Sequence, residues 1–293
     1  MTHVSVSRGL LYVTVAAVIW GTGGPAAAVL YQVSGLGPVA VSFWRFVFGA
    51  AVMFAAARVA RVAAARPRWT TVGLAGCGLA VSQAAYFGAV AEIGVAMATV
   101  ITLGASPALV ALGARLWLGE RPGRGAAGGM VLAPAGLLLM AGDLAAVSPA
   151  GLALSLLSAV AYAAVTLLPR AARAAGGDSW GTAMWGFAAG GLLLAPIAAA
   201  EGLLPGGGEV TTLALLAYLG VMPTAVAYGL FFTGLSAVRA TTASVVALLE
   251  PAAATAIGVL LLGERLTPAA AAGAAVLLGS VAFLALGESR RAG

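Results

Sequence analysis

Apolar stretches long enough to cross a bilayer follow one another along the chain. Only short clusters of turn-formers and charges separate them, such as Ser34-Gly35-Leu36-Gly37-Pro38, Arg66-Pro67-Arg68, Arg121-Pro122-Gly123 and Pro205-Gly206-Gly207-Gly208. A helix needs about 20 apolar residues to span the hydrocarbon core. The pattern therefore predicts ten helices, at 9–30, 37–58, 69–91, 95–117, 123–142, 149–169, 179–200, 212–234, 238–262 and 268–287. No connection is long enough for a soluble domain, so the expected fold class is an all-α integral membrane protein. Polar positions cluster on single helical faces: Thr99, Thr102 and Ser106 are spaced 3 and 4, and Ser155, Ser158, Tyr162 and Thr166 are spaced 3, 4 and 4.

Composition agrees with the pattern. Of 293 residues, 62% are hydrophobic and 8% charged, where a soluble domain carries about a quarter charged. Ten spans would use about 200 residues and leave about 90 for connections and ends. The single cysteine, Cys77, excludes an intramolecular disulfide, and the single histidine, His3, leaves no material for a His-based metal site or a Ser-His triad. No metal or cofactor is expected.

The net charge of +6 is carried by arginine, and its distribution reads as a topology signal before it reads as nucleic-acid affinity. Arg8, Arg58, Arg61, Arg66, Arg68, Arg115, Arg121, Arg124, Arg170, Arg173, Arg239, Arg290 and Arg291 all fall on one side of the ten-helix arrangement. The other side has Asp143, Glu201 and Glu209, with Arg265 as its one arginine. The bias predicts cytoplasmic termini and an even number of spans in a plasma (inner) membrane. Arg8 ahead of an apolar run ending in Ala26-Ala27-Ala28 has the outline of a signal peptide. Retention is the expectation, because the first helix has a counterpart in the sixth.

That counterpart belongs to an internal repeat. Leu118-Gly119-Glu120-Arg121 matches Leu262-Gly263-Glu264-Arg265 at a spacing of 144, which also carries Pro107 onto Pro251 and Gly76 onto Gly220. Trp20-Gly21 corresponds to Tyr162-Ala163 after a shift of two. Five helices per copy require the copies to insert upside down relative to each other, giving an expected first unit at 1–146 and an inverted second unit at 147–293. Transporters use this architecture, with a central site at the repeat interface.

The Trp-Gly of the first helix, Phe43-Trp44-Arg45-Phe46 in the second, Leu249-Glu250-Pro251 in the ninth and Leu262-Gly263-Glu264-Arg265 resemble the drug/metabolite transporter superfamily, EamA type, over essentially the whole chain. Within it, length, plan and the string Ser34 to Pro38 are similar to the YddG-like exporters of aromatic and other amino acids. The resemblance implies a secondary transporter that exports small metabolites.

Several residues are candidates for the site. Pro107 frees the carbonyl of Leu103 and Pro251 that of Ala247, both near mid-membrane. Interrupted helices at matching positions point to a transport site, and packing kinks are the competing reading. Trp20, Trp44, Tyr86, Trp185, Tyr228 and Phe231 are rings near mid-span, and Trp20, Tyr86, Tyr162 and Tyr228 are expected as cavity wall. Thr102 and Ser106 serve either binding or helix packing. Gly125-x-x-x-Gly129 and Gly186-x-x-x-Gly190 fit close helix packing.

Two ionisable groups lie deep. A central charge costs about 2.5 to 3.5 kcal/mol, so each should be paired, face water or, for the acid, be protonated. Glu250 is either a proton-coupling site or a hydrogen-bonding partner inside the bundle. Arg45, about 10 Å in from the outer surface by helical rise, either faces the cavity or snorkels outward. Gln83 is a candidate neutral contact beside them.

Fixed charges are few and rings and hydroxyls many, which suits neutral or zwitterionic amino acids better than polyanions. Drugs, quaternary amines and nucleosides are the alternative cargo. A membrane-embedded enzyme lacks its usual signatures here, with no His-Glu-x-x-His pair and no paired mid-membrane carboxylates. The expected partners are a small-molecule substrate and the lipid bilayer, with no nucleic acid; the oligomeric state is not encoded in these patterns.

Overall fold

The computed structural model describes residues 4–59, 68–120, 123–141, 147–174, 179–262 and 267–292. Arg61, Arg66, Arg121, Asp143 and the second copy's Gly263-Glu264-Arg265 lie outside the described residues, as do the side chains of Arg124, Arg173, Arg290 and Arg291. The described residues are helical throughout, apart from short turns. In chain order the helices are α1 (Val6–Ser34), α2 (Pro38–Val59), α3 (Trp69–Leu118), α4 (Arg124–Ala141), α5 (Pro149–Ala174), α6 (Ser179–Glu201), α7 (Glu209–Gly220), a π-helical turn (Val221–Val226), α8 (Ala227–Gly234), α9 (Ala240–Ala247), α10 (Leu249–Leu262) and α11 (Pro268–Ala292). Seven helical stretches are long and apolar enough to cross a membrane, and Ala126–Met140 and Pro268–Phe283 are shorter apolar helices. Large side chains such as Leu74, Leu116, Leu192 and Leu260 stand exposed, as suits a lipid-facing surface.

The turns follow from local chemistry. Gly35 closes α1 at φ 67, and Pro38 opens α2 with no donor to lose. The first amides of α2 are capped from afar: the Glu201 carboxylate at the end of α6 accepts Val39 N–H at 2.9 Å and Ala40 N–H at 2.8 Å. A negative group at a helix N-terminus satisfies orphan donors and complements the dipole. α3 has 50 residues, about 75 Å if straight and more than twice the hydrocarbon thickness. It folds at Gly94, whose φ of 78 and ψ of 163 belong to a region essentially reserved for glycine. Tyr86 and Thr99 bridge the two arms through their hydroxyls at 2.8 Å.

The two proline positions behave differently. Pro107 sits inside the unbroken second arm of α3. Pro251 does not kink a continuous helix over 238–262; the helix is interrupted at Leu248, and Pro251 occupies the first turn of α10. A first-turn residue has no intrahelical acceptor for its N–H, so proline is tolerated there. A second interruption within a predicted helix was not expected from the sequence. The helix predicted at 212–234 contains the π turn around Pro223, whose freed Leu219 carbonyl accepts from Thr224 Oγ1 at 2.8 Å.

Small residues set the helix spacing. A Cβ on Gly76 would lie 2.6 Å from Ala189 Cβ and 3.0 Å from Gly190 N, joining α3 to α6; one on Gly49 would lie 2.5 Å from Thr224 Cγ2 and 3.4 Å from the Gly220 carbonyl, joining α2 to the α7 end. A Cβ on Gly21 would fall 2.6 Å from Ala253 Cβ, so α1 and α10 pack backbone to backbone. Such close approach is how apolar helices associate in lipid, where the hydrophobic effect between them is absent.

A candidate substrate-binding pocket

A cavity of about 740 Å³ opens between α1, α2, both arms of α3, α5, the π turn, α8 and α10. Eight of the residues picked from the sequence line it: Trp20, Arg45, Gln83, Tyr86, Thr102, Tyr162, Tyr228 and Glu250. Leu103, whose carbonyl Pro107 frees, lines it as well. Volume and wall chemistry match a small-molecule site, mostly apolar with a few convergent polar groups.

The aromatic floor is fixed by its own contacts. Trp20 donates its indole N–H to the Pro223 carbonyl at 2.8 Å, which ties α1 to the π turn. Its ring meets Tyr228 at 5.0 Å and Phe231 at 5.1 Å between centroids, and Tyr228 rests edge-on against Phe187 at 4.9 Å. These separations and tilts are the favourable edge-to-face range. Trp20 therefore presents ring surface to the cavity, its donor already used. No described residue hydrogen-bonds the Tyr162 or Tyr228 hydroxyls, which leaves both as polar contacts in the wall.

The two charged residues share this cavity without pairing. Among the described residues neither Arg45 nor Glu250 has an ion-pair or hydrogen-bond partner, and Arg45 Nε is buried. Arg45 therefore faces inward and does not snorkel. Glu250 sits in the first turn of α10, two residues after the break at Leu248, and lines the cavity.

Hydroxyls picked from the sequence divide differently. Thr102 Oγ1 donates to the Ser155 carbonyl at 3.2 Å, and Ser158 Oγ donates to the Ser82 carbonyl at 2.8 Å, so these groups stitch α3 to α5. Ser106 lies outside the cavity, and its hydroxyl returns to the Thr102 carbonyl at 2.6 Å. Trp185 also lies outside, edge-on to Trp69 at 5.5 Å.

One family model covers the chain twice, at residues 7–142 and 149–286, and its description is the EamA-like transporter family. The chain belongs to that family. An uncharacterized transporter of Bacillus subtilis (strain 168), YwfM, is 31% identical over 276 residues, spanning 92% of this chain and 90% of that protein. A solved crystal structure of a protein matches with a TM-score of 0.82 over 97% of this chain and 98% of that one; at 22% identity it bears on the fold alone.

The cavity of this EamA-like transporter also uses residues that sequence reasoning missed. Tyr31 lines it, eleven residues beyond Trp20. Eleven residues are just over three full turns and return to the same face of α1. The small residues Gly24, Ala27 and Ala28 lie on that stripe and leave the space. The spacing carried this signal. Thr99 and Ser82 line the cavity too, Thr99 from the polar face already noted on the second arm of α3.

Proposed function

We propose that this EamA-like transporter is a secondary exporter of neutral and aromatic amino acids, working by alternating access at the cavity described above. The observation that carries the reading is a part-buried cation and a carboxyl group, Arg45 and Glu250, lining one aromatic cavity with no ion-pair or hydrogen-bond partner among the described residues. A zwitterion supplies both missing partners: its carboxylate answers the guanidinium, and its ammonium group answers the carboxylate. Rings and the phenolic groups of Tyr162 and Tyr228 then suit an apolar or aromatic side chain. A phosphorylated sugar would want several cations, and one lines this wall. Counterflow in proteoliposomes holding only this protein, screened over amino acids, amines, nucleosides and sugar phosphates, tests the assignment. Exchange of aromatic amino acids is expected; exchange of sugar phosphates with none of any amino acid would overturn it.

The proposed architecture is ten spans in a plasma membrane with both termini cytoplasmic, built as two inverted five-helix units at 1–146 and 147–293. The two arms of α3 count as two spans, α7 to α8 as one and α9 to α10 as one. Glycine packing supports the repeat: Gly76 and Gly220, 144 residues apart, each meet a glycine on another helix, Gly190 and Gly49 respectively. The pairings of α2 with α6 and of α4 with α11 also support it, because such a repeat carries each of these pairs onto itself. Glu250 is proposed as substrate contact; coupling through its protonation would appear as a proton flux accompanying counterflow.

A further inference from the structure

The cavity lining extends to the α1 to α2 turn and the Gly94 fold at one end of the bundle, and includes no residue of α9 or of the turn before it. Its rim includes Leu36 and Pro38 at the α1 to α2 turn and Val95 beside the Gly94 fold, where Val95 is 63% exposed. On the second arm of α3 its lining stops at Leu103. Beyond, toward the end cytoplasmic in the proposed orientation, lies α9, every residue of which is buried from Ala240 to Ala247. α9 ends at the Leu248 break, and Glu250 follows in the cavity wall. One short helix thus runs from the far end to the site.

The far end of α9 is held by two charged side chains that the cavity does not use. Glu120, at the end of α3, pairs with Arg170 near the end of α5, with Arg170 Nε donating to Glu120 Oε1 at 2.6 Å. Glu120 Oε2 accepts the Ala240 amide, the first of α9, at 3.3 Å. Arg170 Nη1 donates to the carbonyls of Leu235 and Val238 in the turn leading into α9, the latter at 2.6 Å. The Glu120–Arg170 ion pair is part-buried. One carboxylate and one guanidinium therefore join α3, α5 and the α8 to α9 turn at the end opposite the cavity mouth.

We propose that Glu120 and Arg170 are positioning residues for the transport cycle, a latch that pins α9 as the plug on the cytoplasmic side and must open for the cavity to face that side. The inference rests on the transporter reading but not on the identity of the cargo. Membrane-impermeant maleimide labelling tests it in a Cys77→Ala background. One single-cysteine protein carries Ala243→Cys, in the plug, and a second carries Val95→Cys, at the mouth. Glu120→Ala and Arg170→Gln should each raise labelling at 243 from the cytoplasmic side by about tenfold and lower labelling at 95 from the outside, because charge-assisted hydrogen bonds are lost from one state alone. Glu120→Gln, which keeps the shape and an acceptor, should give a smaller change in the same direction and guards against misfolding of the alanine variant. Labelling at both positions unchanged in all three variants would overturn the latch. So would a loss of thermal stability with no change in which side labels. Labelling needs no substrate, so a failed counterflow screen and a failed latch are distinguishable.

Discussion

Replacing Trp20 by Phe keeps a ring against Tyr228 and Phe231 but removes the indole N–H that the Pro223 carbonyl accepts at 2.8 Å. Trp20 is 7% exposed, so the carbonyl is left without that donor in a place water reaches poorly. An unsatisfied buried acceptor costs about 1–3 kcal/mol. The smaller ring adds about 1 kcal/mol of lost packing. Trp20→Phe should therefore destabilise the protein by about 2–4 kcal/mol, visible as a fall of several degrees in the thermal midpoint of monodisperse protein in detergent. Transport at low temperature should suffer less than with Trp20→Ala, which also removes the cavity wall. Unchanged stability together with abolished transport would refute the reasoning, because it would make the indole N–H a substrate donor and not a tie between α1 and the π turn.

Other consequences are equally direct. Gly94→Ala forces a residue with a Cβ to φ 78, costing about 1–3 kcal/mol and lowering the yield of folded protein. Pro107→Ala should impair transport more than folding, since it supplies a donor for the Leu103 carbonyl at the cavity wall, whereas Pro251→Ala, in a first turn, should leave stability nearly unchanged. For the proposed topology, cysteines placed at Gly123 and Thr267 in a Cys77-free protein should label from opposite sides of the membrane; labelling from one side would contradict the inverted units.

The sequence carried the helices and much of the wall because both are local properties. Apolar runs fix spans, Gly94 falls between two of them, and rings near mid-span at Trp20, Tyr86, Tyr162 and Tyr228 do line the cavity. What it hid depends on neighbours far along the chain. Nothing local shows that Thr102 is spent on the Ser155 carbonyl, or that Trp185 turns to Trp69 while Phe187, two residues on, supports Tyr228. Period alone gives a face and not the helix it meets. Glu201 reads as a loop acid in sequence, yet it caps α2 from 161 residues away. Glu120 appeared as half of a repeat motif, and its bond to Arg170 depends on how the ends of α3 and α5 meet.

The central claim is that Arg45 and Glu250 read the two ends of a zwitterion, and counterflow by charge variants tests it most directly. Arg45→Gln and Glu250→Gln would be reconstituted and assayed with phenylalanine, with phenethylamine, which lacks the carboxylate, and with phenylpropionate, which lacks the ammonium group. A hydrogen bond to a charged group is worth about 1.5–3 kcal/mol, or roughly ten- to a hundredfold in affinity. The account predicts that Arg45→Gln weakens phenylalanine by at least about tenfold and leaves phenethylamine nearly unaffected, while Glu250→Gln weakens phenylalanine and spares phenylpropionate. Equal losses for all three ligands in both variants, or no loss in either, would contradict it.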